Sequence, residues 1–429
     1  MYIGIDDTDS RKRGCSTYVM TEIIRRSGLD LIGYPRLVRL NPSVPWKTRG
    51  NGALCARLGR GKREKKACGQ FDGQTVYAFE SSEETLTREE LIEISARTIY
   101  DLAELLDDDT NPGIVVGDTP TSPDIYWNSV RGIESIENVT ESLKKSGHSY
   151  LGIKEGRGII GAAAALSWRP LMRTYEALIY RYPHPEPISF QTKMNAAMMA
   201  LNVKGSFNDI DMHNQYPAIF PRERTPVVMG IRSTDDCDLL ASSLEIADKN
   251  GISYDRAMVF ETNQGTDEHI ESNPSTLEET HSYSIPCTVR GYPYSIRGSH
   301  YFVEVDYAGK SLKAAAFEPT KEFRKIVRAL LPGDRITIFG SFSQGVLNIE
   351  KMEAVTLSLA YLRENPICDK CHSRTDNRGR NDYRCRKCGS VYTTPHYRIV
   401  ERTIAPGRYD VPVIARRHIS RPFDIGGAK

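Results

Sequence analysis

The chain has 429 residues, of which 39% are hydrophobic and 26% are charged, and its formal net charge is only +2. This length exceeds what one hydrophobic core usually supports, so we expect two to four domains in a soluble, globular protein. No apolar run is long enough to span a bilayer. The N-terminus enters a strand directly, without a basic segment and an apolar signal core, which favours a cytoplasmic protein.

Charge and cysteines are unevenly distributed along the chain. Residues 361–429 contain 15 Lys or Arg and 7 Asp or Glu, a net charge of +8, whereas residues 1–360 carry a net charge of −6. The basic end is the candidate contact for a polyanion, and its charge would fit any nucleic acid. Four of the nine cysteines cluster near the C-terminus, which fits a reducing compartment and one metal site better than a disulfide framework.

The N-terminal stretch IDDTDSRKRGCST predicts phosphate and metal chemistry. A short apolar strand leads into three carboxylates, which are Asp6, Asp7 and Asp9. A basic turn follows, and the next helix is predicted to begin around Gly14, Ser16 and Thr17. Carboxylate oxygens are the ligands that Mg²⁺ prefers, and the N–H groups of a helix start favour phosphate oxygens. The alternative is a capped turn with surface acids, since Ser and Thr are also ordinary helix caps.

The rest of the first predicted domain, 1–167, alternates strands and helices. Strands are expected at 31–40, 53–58, 75–80 and 114–116, and a capping box at Thr87 opens a helix that runs to Leu106. The strand at 114–116 also ends in an acid, Asp118, and we expect the two acidic strand ends to form one nucleotide–Mg²⁺ site.

Glycines at the end of this domain provide a second candidate phosphate contact. The segment KEGRGIIGA places Gly156, Gly158 and Gly161 around Arg157, before an Ala-rich stretch. Glycines at this spacing allow the backbone to approach a phosphate closely. Taken alone, the pattern is more often only a turn.

The second predicted domain, 168–270, begins after a boundary at Trp168-Arg169-Pro170. Its expected elements are strands at 175–180, 226–231 and 256–261 and helices at 190–201 and 235–248. Two β-α-β units of this length suggest a ferredoxin-like domain. The irregular middle stretch gathers Asp209, Asp211 and His213, which could equally be a polar surface turn.

A polar linker at 264–281 precedes the third predicted domain, 282–360. Its expected elements are strands at 284–290, 301–307 and 312–317, a helix at 320–330, and strands at 335–341 and 346–350. Five strands with one helix between the third and the fourth is the order of the OB fold, a common reader of single-stranded nucleic acid. The alternative is a protein-binding module with a solvated, charged surface.

The last predicted unit, 361–429, contains two C-x-x-C pairs separated by thirteen residues. Their cysteines are Cys368, Cys371, Cys385 and Cys388. Four thiolates at this spacing predict one tetrahedral, structural Zn²⁺ site with no ligand position left open. Arginines and the tyrosines Tyr383, Tyr392 and Tyr397 surround the pairs, which suits phosphate contacts and base stacking, and the tail at 398–429 continues basic.

The motifs IDDTDS, GCSTY, KEGRGIIGA and FNDIDMHN, with the OB pattern and the ribbon, resemble the archaeal tRNA(Ile) 2-agmatinylcytidine synthetase family over nearly the whole chain. The resemblance implies an α+β multidomain protein with an α/β kinase-like ATP-binding domain, a ferredoxin-like domain, an OB-fold β-barrel and a four-cysteine zinc ribbon. It also implies an ATP-dependent ligase that attaches agmatine to C2 of the wobble cytidine of a CAU-anticodon isoleucine tRNA. Phosphorylation of the cytidine O2 would precede this step, and the product would decode AUA.

The resemblance also assigns roles to residues. Asp6, Asp7 and Asp9 become the acids of the ATP–Mg²⁺ site, and Thr17, or Ser16 beside it, becomes the autophosphorylated hydroxyl. The expected ATP or phosphate contacts are Gly14, Ser16, Asp118, Gly156, Arg157, Gly158 and Gly161. Because agmatine is dicationic, its pocket needs carboxylates and a base, for which the candidates are Asp209, Asp211 and His213. ATP, Mg²⁺ and Zn²⁺ are the expected cofactors, and no membrane or obligatory protein partner is evident.

Two functions from other classes stay open at this point. A non-catalytic protein with an OB fold and a zinc ribbon would bind single-stranded nucleic acid, with its N-terminal half as a scaffold. A protein kinase would phosphorylate only itself or a partner protein.

Overall fold

The chain begins with a buried strand that ends at the acidic cluster. Strand β1, Tyr2–Asp6, is followed by helix α1, Ser16–Ser27, whose C-cap Gly28 is in the left-handed conformation. The predicted helix start near Ser16 is therefore confirmed. The computed structural model that gives these bounds describes residues 1–83, 86–221, 225–296 and 298–425.

Alternating strands and helices follow α1 in the first region of the chain. The elements are β2 (Asp30–Ile32), β3 (Arg36–Arg39), β4 (Gly52–Gly59), β5 (Gly61–Phe71), β6 (Gln74–Ser82), α2 (Arg88–Leu102), β7 (Gly113–Gly117), α3 (Pro123–Arg131), α4 (Ile136–Lys145), β8 (Ser149–Gly152) and α5 (Gly158–Ser167). The capping box is confirmed, because the Thr87 side chain accepts from the Glu90 N–H and the Glu90 carboxylate accepts from the Thr87 N–H.

Three expectations for this region are wrong in detail. The single strand expected at 31–40 is two strands, because Gly33 turns the chain with a φ of +74°. Helix α2 ends at Leu102 and does not reach Leu106. Strand β5 was not expected, because its sequence at 62–66, KREKK, is charged throughout and lacks the apolar alternation of a strand. All five of these residues are exposed in the structure.

The second region of the chain contains three strands and two helices. They are β9 (Thr174–Tyr180), α6 (Phe190–Ala200), β10 (Val227–Ser233), α7 (Leu239–Lys249) and β11 (Arg256–Thr262). Strand β9 lies between β10 and β11 and is antiparallel to both. Only β10, α7 and β11 therefore form a β-α-β unit, where the sequence predicted two. The reason is the long irregular segment after α6, which returns the chain before β10 begins.

These two regions share one eleven-stranded sheet. Strand β11 pairs antiparallel with β5 and in parallel with β3, so the second region is joined to the first by backbone hydrogen bonds. Strand β1 lies between β4 and β7 and is antiparallel to both. Helix α5 covers this part of the sheet with the buried alanines at 162–165, which form a core with Val115 and Trp168.

A β-barrel forms the third region. Its elements are β12 (Ile270–Ser272), β13 (Ser282–Val289), β14 (Tyr294–Ile296), β15 (His300–Tyr307), β16 (Lys310–Ala316), α8 (Phe323–Arg328), β17 (Arg335–Ser343) and β18 (Val346–Thr356). The pairings β13–β15–β16–β18–β17–β13 close a ring of five strands. The predicted linker at 264–281 is not a solvated connection, because Gln264 and His269 are fully buried and β12 pairs with β13.

The last region consists of short strands. They are β19 (Ala360–Glu364), β20 (Thr375–Gly379), β21 (Asp382–Cys385), β22 (Val391–Tyr392), β23 (His396–Val400) and β24 (Gly407–Asp410). Strands β20 to β22 form a small sheet, whereas β24 pairs with β18 of the barrel. The predicted unit 361–429 is thus divided in space, and its segment 411–425 packs against the earlier regions through the buried Val411 and Ile419. The last four residues of the predicted basic tail lie outside the described residues.

The part of the chain that the structure describes contains no helix long and apolar enough to cross a bilayer.

Glycines determine how closely α5 approaches the sheet. A Cβ at Gly113 would lie 2.6 Å from the Ile159 Cα, and a Cβ at Gly158 would lie 2.5 Å from the Asp6 carbonyl oxygen. A Cβ at Gly161 would lie 2.6 Å from the Asp6 Cγ. Because no side chain fits at these positions, the first turn of α5 lies directly on β1 and β7. The contact places the N-terminal end of α5 beside the Asp6 carboxylate.

Gly113→Ala is expected to lower the free energy of unfolding by about 2 kcal/mol or more, because the new methyl group meets backbone atoms that cannot move aside. Thermal denaturation of the purified full chain measures the effect. Gly291→Ala is the matched control, since a Cβ there meets no heavy atom within 4 Å. Equal melting temperatures for the two variants would show that the approach of α5 is looser than described.

Candidate active site

A cavity of about 650 Å³ lies where strands β1, β3, β9 and β10 of the large sheet, the starts of α1 and α5 and the C-terminal segment meet. Its wall combines residues that are far apart in sequence: Asp6, Asp7, Asp9, Ser16, Thr17, Arg39, Lys47, Arg49, Glu134, Arg157, Glu176, Arg232, Arg416, Arg417 and His418 are among them. Cavities of this size bind nucleotides and other small molecules.

The three predicted acids all line this cavity. Burial raises the pKa of Asp6 well above its ordinary range, and the neighbouring carboxylates Asp7 and Asp9 add to this rise. Burial also raises the pKa of Asp7 to about 6, although its carboxylate accepts a hydrogen bond of 3.0 Å from the Asn111 N–H. Buried carboxylates that raise one another's pKa are a donor set that fits a divalent cation. Asp6, Asp7 and Asp9 are the candidate Mg²⁺ ligands of this wall, but among the described residues only the four cysteines already hold their ligating atoms within 4.8 Å of one another.

The loop between β3 and β4 holds Asp9 in place. The sequence did not predict a role for this loop. The Thr48 hydroxyl donates to Asp9 Oδ1 at 2.8 Å, and the Arg49 Nε lies 3.8 Å from Asp9 Oδ2. Burial raises the pKa of Asp9, and Arg49 and Thr48 oppose that rise. The loop thus supplies the counter-charge and the hydrogen bond that orient this acid.

Two hydroxyls reach the cavity from the start of α1. Ser16 and Thr17 are both buried and line the wall. The Thr8 hydroxyl donates to Ser16 Oγ at 3.0 Å, and Thr17 Oγ1 lies 3.0 Å from Cys15 Sγ. Either hydroxyl is placed to meet a phosphoryl group that enters beside the acids.

The predicted phosphate contacts divide into two groups. Arg157, Gly158 and Gly161 line the cavity, whereas Gly14 and Gly156 lie outside its wall. Gly158 and Gly161 also have the packing role described for α5, so their small size is needed by the fold itself. Gly14 has a φ of +86° and is required by the turn before α1.

Asp118 does not join the acidic cluster, contrary to the expectation for the two acidic strand ends. Strands β1 and β7 are antiparallel, so that Asp6 is opposite Gly113 and Tyr2 is opposite Gly117. Asp118 therefore lies at the other end of β1, where its carboxylate forms an ion pair with Arg88. An apolar strand followed by an acid gives no information on strand direction, which explains the error.

The predicted agmatine contacts, Asp209, Asp211 and His213, also lie outside the cavity wall. Asp211 is buried and accepts a hydrogen bond of 3.2 Å from the Ile414 N–H, so it anchors the C-terminal segment. His213 is exposed, and its Nε2 lies 2.8 Å from Glu322 Oε1. Asn208 and Tyr216, from the same irregular segment, line the cavity instead, together with apolar residues at 218–221.

Cations outnumber acids in the described wall, and sequence reasoning did not identify most of these cations. The seven are Arg39, Lys47, Arg49, Arg157, Arg232, Arg416 and Arg417, against five acids, Asp6, Asp7, Asp9, Glu134 and Glu176. They come from single positions on several strands and loops, which leaves no local pattern in the sequence. An excess of positive charge in a deep cavity suits a polyanionic substrate.

Glu176 on β9 holds two of these cations in place. The Arg232 Nε lies 3.0 Å from Glu176 Oε1, and the Arg39 Nη2 lies 3.9 Å from Oε2. The Gln264 amide donates to Glu176 Oε2 at 2.6 Å and accepts from both arginines. Burial lowers the pKa of Arg39, and Glu176 opposes that change. Both guanidinium groups are therefore fixed in the wall before any substrate binds.

The four predicted zinc ligands come together at the other end of the chain. The Sγ atoms of Cys368, Cys371, Cys385 and Cys388 all lie within 4.8 Å of one another, which fits tetrahedral coordination of Zn²⁺. The Tyr392 hydroxyl donates to Cys368 Sγ at 3.2 Å and lowers the pKa of that thiol to about 6. Tyr383, expected to stack on bases, is buried instead, and its hydroxyl accepts from Arg363.

Asp7→Asn in the metal-free protein is expected to raise the melting temperature at pH 8. The pKa of Asp7 in the folded chain, about 6, is above its ordinary value of 3.8, so the ionised carboxylate opposes folding. This cost is fully present above pH 6 and is lost as the pH falls towards 3.8. The variant should gain on the order of 2 kcal/mol at pH 8 and nothing near pH 4.

Thermal scans at the two pH values measure this difference. Glu401→Gln removes the same charge from an exposed position and is the matched control. A gain in stability that persists at pH 4, or an equal gain in the control, would mean that the ionised Asp7 carboxylate does not destabilise the fold.

Domain models of one family match three parts of this chain. The TiaS TCKD domain matches residues 2–155, the TiaS FLD domain matches residues 156–269, and the TiaS C-terminal zinc ribbon domain matches residues 365–404. Among solved structures, a complex of TiaS with its isoleucine tRNA and ATP is similar with a TM-score of 0.83 and 31% identity. The similarity covers 100% of this chain and 98% of that one.

Full-length relatives agree with these matches. The tRNA 2-agmatinylcytidine synthetase TiaS of Thermoplasma volcanium is 44% identical over 425 residues, which are 99% of this chain and 97% of that protein. The enzyme of the same name from Archaeoglobus fulgidus is 34% identical over 434 residues, with the same shares covered. The chain therefore belongs to the tRNA(Ile) 2-agmatinylcytidine synthetase family.

Proposed function

We propose that this chain attaches agmatine to C2 of the wobble cytidine of the minor isoleucine tRNA in a reaction driven by ATP. The observation that carries the proposal is one cavity in which three half-buried carboxylates, two hydroxyls and seven cations meet. Solved structures of similar proteins support it, since one holds TiaS with the tRNA and ATP and another holds TiaS with the tRNA, AMPCPP and agmatine. A non-catalytic scaffold would have no need for such a cluster of acids.

Phosphorylation of the cytidine O2 is the proposed first step. The C2 carbonyl oxygen is a poor leaving group, and transfer of the γ-phosphoryl group from ATP to this oxygen converts it into a departing phosphate. Such a transfer needs mainly positioning and neutralisation of charge. Asp6, Asp7 and Asp9 would hold Mg²⁺, which neutralises phosphate charge when it is bound. Arg39 and Arg157 line the same wall and would contact the phosphate oxygens, as would Arg232.

Thr17 is our candidate for the autophosphorylated hydroxyl. It is buried at the start of α1 and lines the cavity beside the acids. Ser16 lies beside it, and its Oγ accepts a hydrogen bond from the Thr8 hydroxyl, whereas the Thr17 hydroxyl is paired with the Cys15 thiol, a weaker partner. The helix start behind these hydroxyls supplies partial positive charge for a transferred phosphate.

The domain labels belong to the proposal as well. We infer a kinase-like ATP-binding domain at 1–167, a ferredoxin-like domain at 168–270, an OB-fold domain at 282–360 and a zinc-ribbon unit in 361–429. The first boundary follows α5, because α5 packs on β1 and shares a core with β4 and β7. The closed strand order of the barrel supports the OB label, since its third strand pairs with its fifth and its first with its fourth. Work on tRNA implies a cytoplasmic location.

The proposed activity is tested with the purified chain, ATP, Mg²⁺, agmatine and an isoleucine tRNA transcript with a CAU anticodon. Mass spectrometry of RNase fragments should show one agmatine on the wobble cytidine and none when ATP is omitted. Asp7→Ala should abolish the addition. Unmodified tRNA after complete ATP turnover would favour a protein kinase, and normal activity of Asp7→Ala would remove the acid cluster from the mechanism.

Thr17→Ala is expected to lower the rate of modification by on the order of tenfold or more, which corresponds to about 1.4 kcal/mol of lost transition-state stabilisation. The affinity for tRNA should stay nearly unchanged, because the hydroxyl lies inside the cavity wall at the start of α1. Ser16→Ala is the matched control and should keep more activity. The reverse order of the two variants would make Ser16 the reacting hydroxyl.

Cys385→Ser is expected to release zinc and to weaken tRNA binding by on the order of tenfold, because the ribbon loses its fold. Metal analysis and binding titrations measure the two effects. Cys237→Ser, which changes an exposed thiol outside the cluster, is the control. Loss of zinc with unchanged affinity would mean that the ribbon does not contact RNA. Wild-type binding should fall steeply with salt if phosphates are contacted.

A further inference from the structure

The C-terminal segment at 412–421 forms part of the cavity wall, and its backbone is fixed there. The Gly265 N–H donates to the His418 carbonyl oxygen at 2.9 Å, and the Thr266 N–H donates to the Ile419 carbonyl oxygen at 3.1 Å. The Ile419 side chain is buried in the core beneath α5. These anchors fix the backbone at residues 418 and 419, from which the His418 side chain extends.

The His418 imidazole is the one histidine side chain of the described residues that lines the cavity. The side chain is open to the cavity, and its ring forms no hydrogen bond with any of the described residues. Other polar groups of the wall are engaged: Glu176 is held by two arginines, and Glu134 accepts from Asn128 and Asn138. The imidazole is therefore available to a substrate.

Cations surround this ring on three elements of the fold. Desolvation within the cavity lowers the pKa of His418 well below its ordinary value, and Arg39 on β3, Arg232 on β10 and Lys47 in the loop before β4 lower it further. A Cβ at Gly50 would lie 2.8 Å from Arg39 Nη1 and 3.2 Å from His418 Cδ2, so the two side chains flank one small space. At neutral pH the ring is uncharged, and one ring nitrogen can accept a proton.

We propose that His418 is the general base that accepts the proton of the attacking agmatine amine. The assignment rests on the proposed function and deepens it. In this step the amine nitrogen forms a bond to C2 of the phosphorylated cytidine, and the C2–O2 bond breaks. Because agmatine is dicationic, its ammonium group first loses one proton to solvent and becomes the neutral nucleophile. As the nitrogen bonds to C2, a second proton passes from it to the imidazole, and the electron pair of the broken C2–O2 bond leaves with the phosphate.

The surrounding cations make the pKa of His418 depend on whether the substrates are bound. Phosphate groups of tRNA and ATP that enter the cavity offset the charges of Arg39, Arg232 and Lys47. The imidazole then holds a proton more readily than it does in the free protein. The ring thus becomes an effective base when the substrates are in place.

The test separates the two chemical steps in full-length His418→Ala. Transfer of ³²P from γ-labelled ATP to tRNA, measured without agmatine, should stay within about twofold of wild type, which also shows that the variant folds. Agmatine addition in single turnover should fall by about 10²-fold or more. Added imidazole should restore part of the addition, and His184→Ala, at an exposed position, should behave as wild type.

Other results would overturn the assignment. An equal loss of phosphoryl transfer and agmatine addition would mean that the ring binds phosphate or supports the fold. Wild-type rates of agmatine addition in His418→Ala or in His418→Gln would show that His418 is not the general base. A wild-type protein that adds no agmatine at all would overturn the proposed function and this role with it.

Discussion

The close contact between the first turn of α5 and strand β1 is the constraint on which the cavity depends. Glycines at 113, 158 and 161 leave no room for a Cβ, so the Asp6 carboxylate is enclosed between the helix and the sheet. Burial then raises the pKa of Asp6, and the negative charges of Asp7 and Asp9 raise it further. The close packing of α5 thus buries a cluster of acids, and bound cations would stabilise the ionised form of these carboxylates.

Positive charge reaches the cavity from three regions of the chain. Arg39 and Arg232 are fixed by Glu176, and the C-terminal segment contributes Arg417, whose guanidinium lies 2.9 Å from Glu350 and 3.0 Å from the Ser341 hydroxyl of the barrel. The same guanidinium lies 3.4 Å from Ser43 near the cavity. One side chain of the C-terminal segment therefore contacts both the barrel and the loop between β3 and β4.

Local patterns predicted the parts of the structure that depend on neighbouring residues. The strand before Asp6, the capping box at Thr87 and the paired cysteines were all visible in short stretches of sequence. Strand direction was not, which is why Asp118 was expected at the wrong end of β1. Residues that reach the cavity singly, such as Glu176 and His418, have no local signature and needed the assembled fold.

The central claim is that the cytidine O2 leaves as part of a phosphate. An isoleucine tRNA that carries ¹⁸O at O2 of the wobble cytidine tests it directly in a single turnover with unlabelled ATP and agmatine. Mass spectrometry should find one ¹⁸O atom in the released phosphate for each agmatine added. Unlabelled phosphate, with agmatine on the tRNA, would contradict phosphorylation of O2 and require another route to the product.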